Sequence, residues 1–303
     1  MGTPVFALPT LKALAASRHT VDLVVTQPDK KNGRGKILCP PPVKVYAQEI
    51  GIKVIQPQRL NDSEFVNLIT QYSPDVIVVT AYGRILPSLI LDIPKKGCVN
   101  LHGSLLPEYR GAAPIQWAII DGKSETGLTT IKMDEGIDTG PIFLTQTETI
   151  LKDDTYQTLG QRLADIGAGL LIKTLDLIQD EKIEPVKQIG EPSYARILKK
   201  EDGLIDWSET SEHLSCLVRG LYPWPCAYTF INDERVKIIK AEPVSEQGQP
   251  GRIIRQDNQG LIIGAGSGSL SILELQPAGK SPMSYKAFLK GRLNNKGDQL
   301  YVG

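Results

Sequence analysis

Several things are scarce in this 303-residue chain. Its four cysteines, Cys39, Cys98, Cys216 and Cys226, show no paired spacing, so reduced thiols are expected rather than a disulfide framework. Its three histidines, His19, His102 and His213, are too dispersed for a metal-binding motif, and no metal is expected. Net charge is absent: 34 basic residues balance 34 acidic ones. The molecule as a whole is therefore not an electrostatic nucleic-acid binder, and any such contact needs a local basic patch. No apolar run approaches the roughly 18 residues of a membrane span. The opening Met1-Gly2-Thr3-Pro4-Val5 has no basic region leading into an apolar core, so no secretion signal is expected. A cytoplasmic, monomeric enzyme is the resulting expectation. What is present is ordinary for a globular protein, 41% apolar and 22% charged, with length enough for two domains.

The first half alternates helix and strand, which predicts an α/β fold with a mostly parallel, Rossmann-like sheet. Residues 10–17 read as a helix with Thr10 as its N-cap, and residues 21–25 as a strand. No strand precedes that helix, although such domains normally begin with one. Residues 75–80 form the clearest buried strand and lead into Ala81-Tyr82-Gly83. Residues 97–101 form the next strand, residues 126–133 another, and residues 142–145 the last. Thr155 caps a long amphipathic helix carrying Leu159, Leu163, Ile166, Leu170, Leu171 and Leu175 on one side. The pattern changes near residue 185. Residues 1–185 form one expected domain, 186–203 a basic connector, and 204–303 a β-rich domain with short strands between Gly-rich turns. A short basic helix with Lys286, Lys290 and Arg292 ends it. The glycines at 264, 266 and 268 sit between β-patterned segments, so they read as a hairpin turn and not a phosphate loop.

The chemistry centres on residues 100–111. Asn100 and His102 are two apart on a strand end, so they share a face. Asp138, in a glycine-bounded loop after a neighbouring strand, is expected at the same sheet edge, where ligands of α/β sheets bind. A carboxylate beside the imidazole favours its protonated form. Together the three suit attack by an amine on an acyl carbon. Asn100 and His102 would donate to the oxyanion, and Asp138 would orient His102 and help remove the amine proton. No serine or cysteine pairs with this histidine, so direct transfer is preferred to an acyl-enzyme. Asp134 and Glu135 are adjacent and point apart, so they read as solvated. Residues 27–36, with Arg34 between two glycines and several lysines nearby, read as a basic loop suited to phosphates.

These residues resemble the 10-formyltetrahydrofolate-dependent formyltransferases. The resemblance is carried by Asn100-Leu101-His102-Gly103-Ser104-Leu105-Leu106-Pro107, by Arg110-Gly111, and by Asp138 within Asp134-Glu135-Gly136-Ile137-Asp138-Thr139-Gly140. It extends through Gly2-Thr3-Pro4, Gly33-Arg34-Gly35-Lys36, Ala81-Tyr82-Gly83 and Pro223-Trp224-Pro225 over nearly the whole chain, and is strongest to members acting on methionyl-tRNA. The resemblance implies that Asn100, His102 and Asp138 catalyse formyl transfer from 10-formyltetrahydrofolate to the amino group of initiator methionyl-tRNA. It implies a folate pocket of Ser104, Leu105, Leu106, Pro107, Ile85 and Leu86. It also implies tRNA contacts from Arg34 and Lys36, with Lys199 and Lys200 as candidate phosphate contacts, and an OB-like C-terminal barrel. Family members carry a strand just before Gly-Thr-Pro, so a natural chain extending upstream of Met1 is expected. Two alternatives stand: a formyltransferase for a sugar-nucleotide or ribonucleotide amine, and an inactive nucleic-acid-binding relative.

Overall fold

The computed structural model describes residues 1–32, 37–292 and 302, so the expected tRNA contacts Arg34 and Lys36 lie outside the described residues. The chain divides into two units. One comprises Met1–Pro114, Glu125–Thr149 and Gly160–Arg196; the other comprises Ile115–Ser124, Ile150–Leu159 and Ile197–Gly303.

The strands of the first unit are β1 (Val24–Val25), β2 (Lys30–Asn32), β3 (Ile37–Cys39), β4 (Val54–Ile55), β5 (Ile77–Thr80), β6 (Cys98–His102), β7 (Arg110–Gly111), β8 (Glu125–Lys132), β9 (Ile142–Thr149) and β10 (Tyr194–Ala195). Parallel pairs β1–β4, β5–β6 and β7–β10 make it parallel-rich, as expected. The central sheet runs β5-β6-β8-β9, and its last two strands join antiparallel. β5 is largely buried and every residue of β6 is buried, so their apolar runs reflect enclosure on both faces.

The helices are α1 (Leu8–Ala15), α2 (Pro42–Glu49), α3 (Ser63–Tyr72), α4 (Ser88–Leu91), α5 (Pro114–Ile120) and α6 (Tyr156–Gln179). Thr10 is not the cap of α1. A 3-10 turn at Val5–Ala7 leads in, Pro9 occupies the first turn, and Ala7 holds the cap position. Thr10 is buried inside the helix, its hydroxyl without a partner among the described residues. Thr155 does cap α6, its hydroxyl accepting from the Thr158 N–H at 3.3 Å. Leu171, Leu175 and Ile178 of α6 pack with Val99, which supports β6 from behind.

Among the described residues, β1 and β5 belong to separate sheets and no strand fills the space between them. Met1 and Gly2 bridge the interval: the Gly2 N–H donates to the Val25 carbonyl at 3.1 Å, and the Met1 carbonyl accepts from Thr80 at 3.0 Å. Beside them is a cavity of about 170 Å³ lined mainly by aliphatic side chains, among them Leu11, Leu14, Val24, Val76, Val78 and Leu175.

The second unit holds α7 (Ser211–Leu221), capped by the Thr210 hydroxyl, then β11 (Ala227–Ile231), β12 (Glu234–Val244), β13 (Ile253–Asp257), β14 (Gly260–Gly264), β15 (Ser269–Pro277), β16 (Met283–Ser284) and α8 (Tyr285–Arg292). The antiparallel sheet runs β11-β12-β15-β14-β13, with β16 on β15. Among the described residues β11 and β13 are not joined, so the OB-like element is an open sheet and not a closed barrel. One face covers a core of Ile205, Leu214, Val236, Ile238, Leu270, Ile272 and their neighbours. Gly264 and Gly268 flank the turn between β14 and β15, as expected of a hairpin. No helix among the described residues is long and apolar enough to cross a membrane.

Candidate active site

β6 is an inner strand, flanked by β5 and β8, and this location fixes its side chains. Cys98, Asn100 and His102 alternate onto one face. Asn100 pairs in register with Ile131, and His102 with Thr129. Both side chains are buried, with Asn100 8% and His102 5% exposed. Cys98 is no nucleophile: burial pushes its thiol up to about 12, so it stays protonated at neutral pH.

Asp138 reaches the same place from the loop after β8. Its side chain is 16% exposed, open enough to meet a substrate. One carboxylate oxygen accepts from the Asn100 amide at 3.3 Å. The other accepts from the Gly111 N–H at 2.9 Å and lies 3.5 Å from His102 Nδ1. His102 Nε2 is 2.9 Å from the Tyr109 carbonyl. A carbonyl only accepts, so Nε2 carries a proton and proton exchange at this ring falls to Nδ1, facing Asp138. Asp138 has φ +53°, a left-handed backbone that aspartate tolerates better than most residues.

The loop is held by its own polar groups. Asp134 accepts from the Gly136 N–H at 3.1 Å and the Thr139 hydroxyl at 2.6 Å. Glu135 accepts from the Ser88 hydroxyl at 2.6 Å, tying this loop to α4. Both carboxylates are exposed, as expected of solvated groups, and each also accepts a hydrogen bond at the surface. Asp134 caps the loop from within, and Glu135 crosslinks it.

The expected pocket residues divide by environment. Ser104 is fully buried, and its hydroxyl donates to the Glu108 carbonyl at 2.6 Å, so it holds the turn. Leu106 is buried, its N–H donating to the Thr129 hydroxyl at 3.1 Å. Leu105 and Pro107 are half-buried. Leu86 is buried in the core, whereas Ile85 is 70% exposed. Ile85 before α4, Leu89 within it and Ile137 in the Asp138 loop present exposed aliphatic surface on the segments that Ser88 and Glu135 join. Lys199 and Lys200 are exposed in the second unit.

Sequence reasoning missed the backbone donors and acceptors that frame the site. The Tyr109 N–H donates to the Ser193 hydroxyl at 2.8 Å and the Arg110 N–H to the Ser193 carbonyl at 2.8 Å, which fixes the peptide whose carbonyl His102 meets. Gly111 has φ +119°, and a Cβ there would lie 2.7 Å from the Ala195 carbonyl oxygen. The Arg110-Gly111 pair was the available signal. Nothing in the sequence marks Ser193 or Gln188.

With this geometry in view, the likenesses to known proteins are informative. A formyl transferase model matches residues 1–175, and a formyl transferase C-terminal domain model matches residues 197–293. Methionyl-tRNA formyltransferase of Thermodesulfovibrio yellowstonii is 50% identical over 98% of this chain and 96% of its own length. The enzyme of that name from Geobacter metallireducens is 48% identical over 96% of this chain and 94% of its own. Among solved structures, methionyl-tRNA formyltransferase from Clostridium thermocellum superposes with a TM-score of 0.55 at 23% identity, over 74% of this chain and 93% of that one. The sugar 3N-formyl transferase WlaRD, solved with dTDP and 5-N-formyl-THF, gives 0.67 at 21% identity over 92% and 97%. At those identities the structures speak for the fold. The two domain models and the near full-length relatives establish that the chain belongs to the formyl transferase family.

Proposed function

We propose that the protein transfers the formyl group of 10-formyltetrahydrofolate to the amino group of initiator methionyl-tRNA, in the cytoplasm. The observation that carries this reading is the convergence of Asn100, His102 and Gly111 on the Asp138 carboxylate, all within 3.5 Å, in a chain 50% identical to a methionyl-tRNA formyltransferase. The acceptor amine attacks the formyl carbon, and the carbonyl electrons move onto oxygen. Asn100 donates to that oxyanion. His102 Nδ1, 3.5 Å from Asp138, is the ring nitrogen left to donate to that oxyanion when it carries a proton. Asp138 accepts the amine proton, directly or through water. The oxyanion electrons then re-form the carbonyl as the C–N10 bond breaks, N10 takes the proton that Asp138 accepted, and tetrahydrofolate leaves.

The folate is assigned to the loops bearing Ser104, Leu105, Leu106, Pro107, Ile85 and Leu86. Ser104 and Leu106 act there by shaping the turn, and the exposed aliphatic surface of Ile85 and its neighbours suits the folate's aromatic rings. Residues 1–185 are assigned to catalysis and 204–303 to tRNA. Arg34 and Lys36, with Lys199 and Lys200 in the 186–203 connector, are assigned to its phosphates. The alternative acceptor, a sugar-nucleotide amine, has a fold-level likeness in its favour but not the near full-length relatives.

Asp138→Asn tests the reading. Formyl transfer is expected to fall by at least about 100-fold, the scale of a lost general base. Methionyl-tRNA binding, measured by filter retention, is expected to stay within about threefold. Near wild-type turnover in this variant would refute the assignment.

A further inference from the structure

Gln188 is uncharged, half-buried and 50 residues from Asp138 in the chain, yet its amide is fully engaged. Its Nε2 donates to the Asp138 carbonyl and to the Gly140 carbonyl, each at 2.8 Å. Its Oε1 accepts from Arg110 Nε at 3.2 Å and Arg110 Nη2 at 2.6 Å. Two N–H groups and two lone pairs are what a primary amide has, and all four are used.

The partners matter more than the count. Asp138 and Gly140 belong to the loop that carries the carboxylate. Arg110 precedes Gly111, whose N–H holds one carboxylate oxygen at 2.9 Å. Gln188 therefore grips both the backbone that presents Asp138 and the strand that receives it. The loop needs such a grip. Asp138 holds a left-handed φ of +53°, a conformation that persists where its surroundings fix it. The side chain of Asp134 restrains the loop's first half, through Gly136 and Thr139. On the far side, Gly140 is pressed against β8 so closely that a Cβ would meet the Lys132 carbonyl oxygen at 1.8 Å. Between these restraints, a shift of the backbone at Asp138, with rotation of the peptide that follows it, would carry the carboxylate away from His102. Gln188 blocks that rotation by holding the Asp138 carbonyl.

We propose that Gln188 is a positioning residue for the transfer reaction, setting the direction of the Asp138 carboxylate toward His102 and the acceptor amine. This rests on the reading of Asp138 as the group that takes the amine proton.

Two variants separate positioning from bulk structure. Gln188→Met removes all four hydrogen bonds at similar volume. Gln188→Glu keeps an acceptor for Arg110, now charged, and removes both donors to the loop. Both are expected to lower kcat about 10- to 100-fold, the cost of a displacement on the order of 1 Å in a reacting group. KM for 10-formyltetrahydrofolate and for methionyl-tRNA is expected to stay within about threefold, since ground-state binding is untouched. The melting temperature of Gln188→Glu is expected to stay within about 3 °C of wild type, because the Arg110 contact survives. Wild-type kcat in either variant would overturn the proposal, as would a kcat loss matched by loss of folded protein. Asp138→Asn assayed alongside identifies which idea fails. An active Asp138→Asn sinks the reading of Asp138 itself, whereas an inactive one beside a normal Gln188→Met sinks only the positioning role.

Discussion

At the scale of single residues, much of the site is backbone. His102 meets a carbonyl, Asp138 meets an N–H, and both come from the Tyr109–Gly111 stretch. Gly111 combines a positive φ with a close approach to Ala195, so a methyl group cannot be accommodated without moving β7 off β10. Gly111→Ala is therefore expected to cut turnover at least about 10-fold and to lower the melting temperature by several degrees, at a few kcal/mol of strain. Steady-state kinetics with calorimetry checks both, and an unchanged turnover would show that the Gly111 N–H does not hold Asp138. Asn100 and His102 were legible because strand alternation is a strict rule. Asp138 was legible as a loop residue at the right sheet edge. Gln188 was not, because a lone glutamine in a polar segment carries no period, and its partners lie about 50 and 78 residues away.

At the scale of elements, the base of the basic loop is better ordered than its composition suggests. Lys44 Nζ donates to both Asp29 carboxylate oxygens, at 2.9 and 2.8 Å, and to Gln56 Oε1 at 2.7 Å. Gln56 Nε2 in turn donates to Asp29 at 2.7 Å and to the Gln27 carbonyl at 2.8 Å. The Lys44 ammonium, with help from the Gln56 amide, holds the Asp29 carboxyl below its usual range. A depressed carboxylate contributes stability above its unfolded value near 4 and loses it as pH falls through the lower folded value. Local hydrogen exchange at residues 27–30 is thus expected to stay slow at neutral pH and to quicken, relative to the intrinsic rate, below about pH 4. Asp29→Asn should show the quickened exchange already at neutral pH; protection equal to wild type there would remove the network's role. The elements themselves were readable wherever apolar runs marked them. β9 was seen only in its first half, because its second half, Gln-Thr-Glu-Thr, is largely exposed and gives no apolar signal. Thr10 misled because an N-cap preference also fits a buried helical threonine when the helix starts at Leu8, with Pro9 in its first turn.

At the scale of the whole molecule, zero net charge excluded wholesale binding of nucleic acid, and a tRNA substrate places the basic groups locally. The change of pattern near residue 185 marked a second, β-rich region. Its open sheet was beyond sequence reasoning, since closure depends on edge-strand geometry that alternation does not encode. The identity of the amine is the central claim, and one competition measures it. The enzyme is given 10-formyltetrahydrofolate with initiator methionyl-tRNA and an equimolar dTDP-linked amino sugar, and the formylated products are separated. The account predicts N-formylmethionyl-tRNA in excess of the sugar product by at least about 100-fold. Formyl appearing on the sugar amine alone would contradict it.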